Sequence, residues 1–127
     1  MAFYMSRPSE PYSTHLKQIL MENSKDVGNC REWKGHINKD GYGGYTTRNP
    51  TNGTRYTLAV HRLAYFLYTE WRPALQKNIH VSHRCNNKLC LRVDHLSYEP
   101  ACINAQRTSC QDQGACFTHT PFRDCIL

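Results

Sequence analysis

His83-Arg84-Cys85-Asn86-Asn87-Lys88-Leu89-Cys90-Leu91-Arg92-Val93-Asp94-His95 is the densest run of metal-ligand chemistry in this 127-residue chain. Cys85, Cys90 and His95 follow one another with four residues in each gap, so three soft or borderline donors fall within eleven residues. A loop that short can wrap one tetrahedral ion, and the fourth ligand then has to come from elsewhere in the chain. Cys30 is the only cysteine upstream of the run. A second set lies downstream: Cys110, Cys116, His119 and Cys125, all within sixteen residues. Both sets read as closed Cys3His zinc sites of the structural kind. They use six of the seven cysteines and leave Cys102, which has nothing nearby to activate it as a nucleophile.

The setting of these cysteines supports ligation over disulfides. Their number is odd, and Met1 to Pro8 shows no long apolar stretch behind a basic tip, so a secreted, disulfide-stapled protein is not expected. No apolar run approaches the roughly 20 residues of a membrane span, and mean hydropathy is −0.69. The expectation is an intracellular protein, in the nucleus of a eukaryotic host or otherwise in the cytoplasm. A chain of this length has room for one small core, and small domains short of core often use a metal instead.

The charge is concentrated in the middle. Between Gly41 and Arg92 stand Arg48, Arg55, Arg62, Arg72, Lys77, Arg84, Lys88 and Arg92 against the single acid Glu70, a net +7, while the rest of the chain carries −1. Tyr42, Tyr45, Tyr56, Tyr65 and Tyr68 are interleaved. A basic, aromatic stripe releases counterions on meeting phosphates, and arginine also reaches base edges. The bland alternative is a solvated surface that keeps the protein soluble.

Periodicity places the elements. Ser13 or Thr14 caps a short helix with Leu16, Ile19 and Leu20 on one face, ending over Asn23 to Asp26 before Gly28. Gly41 to Arg48 and Thr54 to Val60 read as two strands around the turn Asn49-Pro50-Thr51-Asn52-Gly53. His61 to Glu70 reads as a helix ended by Arg72-Pro73. Lys77 to Val81 and Leu96 to Tyr98 read as short strands, and Pro100 opens a helix to about Gln106. From Cys110 the sequence is polar with little periodicity.

Val81-Ser82-His83-Arg84-Cys85, with Cys90, His95-Leu96, Asn104, Arg107 and Cys110, resembles the His-Cys box homing endonucleases, the zinc-bound branch of the ββα-metal (HNH-like) nucleases. The resemblance spans Cys30 to Cys125 and is most specific from Val81 to Cys110. It implies an α+β fold: a small zinc-stabilised domain with a ββα-metal nuclease core and an antiparallel β-ribbon for DNA. One domain over 1–127 is expected: an N-terminal helix and lead-in (1–29), ribbon and helix (30–80), nuclease core with the first zinc site (81–109) and second zinc site (110–127).

The resemblance also implies roles. His83, ending the first strand of the core, matches the histidine that activates water. Asn104, nine residues after His95, matches the ligand of a single catalytic Mg²⁺. Arg55 best matches a ribbon arginine at the scissile phosphate, with Arg48 the competitor. A neutral histidine plus one hard-cation ligand is a minimal set for phosphodiester hydrolysis. The expected DNA surface comprises Arg48, Arg55, Tyr45, Tyr56, Arg62, Arg84, Lys88 and Arg107.

The reading is therefore a site-specific, intron-homing endonuclease acting on double-stranded DNA with two structural zinc ions and one Mg²⁺. Its alternative is a non-catalytic, zinc-stabilised DNA-binding regulator on the same scaffold. A homodimer suits cutting at a pseudo-palindrome, although only Ile126-Leu127 follow the last ligand and no long C-terminal tail is there to exchange.

Overall fold

The structure, a computed structural model, describes residues 10–48, 53–69 and 79–126. Helix α1 runs from Glu10 to Glu22 and buries Leu16 and Leu20, as their i, i+4 spacing requires. Ser13 and Thr14 lie inside this helix and do not cap it.

The chain then makes a hairpin where a fraying helix end was expected. Strands β1 (Ser24–Val27) and β2 (Cys30–Trp33) pair antiparallel, with Val27 opposite Cys30 across the two-residue turn Gly28-Asn29. Gly28 takes φ +59°, a conformation in which a side chain is disfavoured. This hairpin matters because β2 also receives the Cys85–Cys90 loop. Trp33 N–H donates to Leu89 O (2.9 Å), Leu91 N–H donates to Arg31 O (2.8 Å), and Glu32 bridges Cys90. Cys30 is thereby carried to the loop's sulfurs.

The ribbon is β3 (Gly44–Arg48) paired antiparallel with β4 (Arg55–Ala59). Helix α2 (Val60–Tyr68) follows without a connecting loop. The strand expected to reach Val60 stops one residue short, and the helix begins there. Its expected end at Glu70 and Arg72-Pro73 lies outside the described residues, as do Asn49 to Asn52 of the ribbon turn.

Strands β5 (Ile79–His83) and β6 (Leu96–Pro100) form the third antiparallel pair, with His83 opposite Leu96. Lys77, where β5 was expected to start, lies outside the described residues. Helix α3 spans Ala101–Gln113 and stops at Gly114, whose φ of +70° forms a left-handed cap. It runs about two turns beyond the expected end, so Cys110 sits on a helix and not in an aperiodic tail.

Leu16, Leu20, Trp33, Leu58, Val60, Leu63, Ala64, Phe66, Val81, Leu91 and Leu96 form the core. It is small, and it joins α1, α2, the ribbon base and the β5–β6 hairpin around Trp33 and Phe66. The α+β class and the zinc-stabilised architecture expected from the sequence are what the chain adopts. Among the described residues no helix is long and apolar enough to cross a membrane.

Candidate active site

Two four-residue clusters stand out, Cys30, Cys85, Cys90 and His95, and Cys110, Cys116, His119 and Cys125. In each, all ligand atoms lie within 4.8 Å of one another. A tetrahedral zinc ion with Zn–S near 2.3 Å and Zn–N near 2.0 Å gives ligand-to-ligand edges of about 3.5–3.8 Å. In the first cluster Cys30 Sγ lies 3.6 Å from Cys85 Sγ and 3.6 Å from His95 Nδ1, and Cys90 Sγ lies 3.5 Å from His95 Nδ1. In the second, His119 Nε2 lies 3.5 Å from Cys110 Sγ and 3.3 Å from Cys125 Sγ. Both Cys3His sets fit structural zinc.

Thiol chemistry points the same way. A hydrogen bond from Cys85, ahead of the other influences, holds the Cys90 thiol down to about 4, while the same contact pushes Cys85 up and burial raises Cys30. Three sulfurs this close cannot all ionise unaided; a divalent cation lets them. His119 has the usual supporting shell of a zinc ligand, with Nδ1 3.0 Å from Gln106 Oε1 while Nε2 faces the sulfurs.

The first centre holds His83 in place. His83 ends β5, is buried, and its Nε2 lies 3.1 Å from the carbonyl oxygen of Cys90, itself a ligand. A carbonyl only accepts, so Nε2–H donates and the neutral ring carries its lone pair on Nδ1. Burial pushes the His83 imidazole down to about 4, so the ring is neutral at physiological pH.

His61 and Tyr42 complete the pocket; the sequence showed His61-Arg62-Leu63 as resembling the segment before the nuclease core and Tyr42 as part of the basic stripe, but assigned neither a role beside His83. The His61 ring lies 4.8 Å from that of His83, centroid to centroid, and Tyr42 stacks at 5.3 Å from His61 and 6.1 Å from His83. His61 is 5 % exposed, and its Nδ1 has no hydrogen-bond partner among the described residues. Burial, reinforced by the neighbouring His83 and Arg62, drives its pKa well below the usual histidine value. A turn carries Tyr42 to this place: Asn38 Oδ1 accepts from Asp40 N–H (2.9 Å) and Tyr42 N–H (3.0 Å). The available sequence signals were the Asn-x-x-Gly turn at 38–41 and a histidine at the start of an otherwise apolar helix face.

Asn104 lies half-buried on α3, one turn before the buried Arg107, and its carboxamide makes no hydrogen bond among the described residues. An unspent carboxamide oxygen suits a hard divalent cation. The helix docks on β6 through Arg107 and Glu99. No hydrogen bond joins Asn104 to His83.

Several expected DNA contacts are placed differently. Arg107 is 4 % exposed and forms a bidentate pair with the fully buried Glu99, both N–O distances being 2.7 Å. It also donates to Arg123 O (2.7 Å) and Cys125 Sγ (3.4 Å). Burial pushes the Glu99 carboxyl up, but the hydrogen bond and charge of Arg107, together with hydrogen bonds from Ser97 and Ser82, outweigh it and leave the carboxyl below its usual range. Arg84 is likewise turned inward, onto Asp124 O (2.7 Å) and Asp94 O (2.6 Å). Guanidinium groups spent on buried carbonyls and a carboxylate are not available to phosphates, so Arg84 and Arg107 leave the DNA surface.

Tyr45 packs against the core from the inner face of the ribbon. Of Tyr56 only the backbone pairing with Thr47 is described. Arg48 and Arg55 do face solvent, directly opposite each other at the far end of the ribbon and on the same face as the hydrogen-bonded Thr46–Thr57 pair. Four strand steps separate Arg55 from Ala59, about 13 Å at the usual rise, so Arg55 stands away from His61, two residues beyond Ala59, and from the His83 ring beside it. Arg62 is half-buried beside His61. Lys88 is exposed and reaches over Tyr42.

The sequence model of a family described as the zinc-binding loop region of homing endonuclease matches residues 29–124. No curated protein sequence matches the chain. No solved structure matches it either.

Proposed function

The chain belongs to the family defined by the zinc-binding loop of homing endonucleases, and from that premise we propose that it is a site-specific endonuclease of double-stranded DNA, dependent on a divalent cation such as Mg²⁺ and serving intron homing. The observation that carries the catalytic part is His83. Its Nε2–H is committed to the Cys90 carbonyl, and its buried, neutral ring offers Nδ1 as a base.

His83 Nδ1 takes a proton from the attacking water as the new O–P bond forms. The P–O3′ bond then breaks, leaving a 5′-phosphate and a 3′-oxyanion that is protonated from solvent. Asn104 would hold the divalent cation, which when bound would supply Lewis-acid stabilisation of the charge developing on the phosphate and the leaving oxygen. The zinc centres stay out of this chemistry. Each has four protein ligands and no open position, so their part is to fix the loop that orients His83 and the end of α3. The ribbon's outer face, with Thr46, Arg48, Arg55 and Thr57, supplies DNA contacts away from the cut.

Supercoiled plasmid in low salt tests the proposal, with Mg²⁺, Mn²⁺ or EDTA and the variants His83→Ala and Asn104→Ala. Nicking or linearisation is expected with either cation. It should stop in EDTA and fall at least about 10²-fold in both variants while zinc content stays unchanged. Plasmid retarded on a gel but not cut, even with the cognate site, favours a DNA-binding regulator.

A further inference from the structure

Arg55, expected at the cut phosphate, and its competitor Arg48 stand at the far end of the ribbon, and Arg84 and Arg107 are turned into the fold, so none of these four brings a cation to the histidine pair. Lys88 stands where one is needed. It occupies the Cys85–Cys90 loop, and that loop is fixed on every side. Asn87 Nδ2 donates to Glu32 Oε2 (2.8 Å), Leu89 N–H donates to Asn87 Oδ1 (3.0 Å), and Cys90 N–H donates to Asn87 O (3.0 Å).

The side chain is fixed as well. Lys88 Nζ donates to the Asp40 carbonyl (2.9 Å) and sits 5.1 Å from the centroid of the Tyr42 ring. That same ring stacks on His61 and His83. Gly41, at φ +88°, lets the chain pass beneath the lysine stem; a Cβ there would lie 3.4 Å from Lys88 Cδ. The ammonium is thus held over the aromatic floor of the histidine pocket while open to solvent. Among the described residues, Lys88 is the exposed cation that these contacts bring to the histidine pair.

We propose that Lys88 is a catalytic residue whose ammonium binds a non-bridging oxygen of the phosphate attacked by the water that His83 activates. The proposal rests on the endonuclease reading. Lys88 transfers no proton. It stays charged throughout and gains contact as negative charge builds on the phosphate oxygens, while the Asp40 carbonyl and the Tyr42 ring hold it in place beforehand. A preorganised donor of this kind acts on the rate more than on affinity, which separates it from an ordinary backbone contact.

The test is single-turnover cleavage of supercoiled plasmid at saturating protein for the unsubstituted chain, Lys88→Met and Lys88→Arg. Gel-shift affinity for a random-sequence duplex in EDTA and zinc content are measured alongside. Lys88→Met is expected to cut about 10²-fold more slowly. Its duplex affinity should change less than about 3-fold and its two zinc ions should remain, with Lys88→Arg restoring most of the rate because it keeps the charge. Cleavage by Lys88→Met at the unsubstituted rate overturns the proposal and leaves the endonuclease reading standing. So does a deficit that disappears at higher protein concentration, which marks a binding role alone. If the unsubstituted protein cuts no DNA with Mg²⁺ or Mn²⁺, the endonuclease reading falls and takes this proposal with it.

Discussion

The two Cys3His centres have the same donors but are built from the chain in different ways. In the first, Cys30 and His95 are 65 positions apart, and the ligands come from β2, the 85–90 loop and the turn before β6. In the second, all four ligands fall between Cys110 and Cys125. Closing the longer loop costs about 1 kcal/mol more chain entropy, yet the first centre receives more in return. Its Cys90 is fully buried, flanked by core residue Leu91 and hydrogen-bonded through its carbonyl to His83. The second centre works at the rim. It fastens residues 123–126 to α3 and to the residue that follows β5, through Arg107 on Arg123 O and Cys125 Sγ and through Ile126 N–H on Arg84 O. One centre frames His83; the other fixes the end of the helix that carries Asn104.

Removing one ligand from each centre sharpens that contrast most. Cys90→Ala is expected to lose the first zinc and with it cooperative folding, since a structural zinc contributes apparent binding energy of about 10–16 kcal/mol. Cys116→Ala should lose only the second zinc and keep a cooperative, weaker transition. Native mass spectrometry and thermal unfolding report both, and equal damage from the two substitutions would erase the distinction. A smaller effect is expected from Arg107→Met, which leaves Glu99 buried and unpaired at a cost of about 3–5 kcal/mol. Chemical denaturation checks it. Recovery in the double variant Glu99→Leu/Arg107→Met would show that the penalty is the stranded charge.

The smallest effect lies beside the first centre. The His61 pKa is depressed in the fold, largely by burial and then by His83 and Arg62, and Tyr42 stacks on the same ring. The unfolded chain therefore takes up a proton below about pH 6.5 that the folded chain refuses, and stability is lost as pH falls through that range. The expected slope from His61 is up to about 1.4 kcal/mol per pH unit. His61→Phe should flatten the dependence of the urea midpoint between pH 7 and 5.5. An unchanged slope would mean that His61 is not held neutral.

Ligand chemistry was the most legible feature because donor type and spacing are written locally. All eight ligands fall into the two clusters expected from Cys85-x4-Cys90-x4-His95 and the 110–125 set. The ribbon and α2 were also near their expected places, given the Asn52-Gly53 turn and the apolar stripe of Val60, Leu63, Ala64 and Leu67. The β1–β2 hairpin was missed although Gly28-Asn29 is a two-residue hairpin signal, because four-residue strands with mixed polarity show little alternation. The length of α3 was missed for a similar reason: only Arg107 and Cys110 are buried along it, and one of them is charged.

Direction was the least legible property of all. Arg84 and Arg107 look like surface cations because their partners are distant in sequence: Glu99 on β6, and the carbonyls of Asp94, Arg123 and Asp124. The pocket of Tyr42, His61 and His83 draws one residue from each of three separate segments, so no local pattern announces it.

The claim on which the rest depends is that the first zinc loop fixes the His83 tautomer. Long-range ¹⁵N–¹H NMR correlation of the imidazole nitrogens in the zinc-loaded protein at pH 7 reads it directly. The structure predicts that His83 carries its proton on Nε2 with an unprotonated Nδ1, and that this pattern persists when the sample is taken to pH 5.5. A proton on Nδ1, or a doubly protonated ring at pH 7, would contradict the account, because His83 would then have no base to offer.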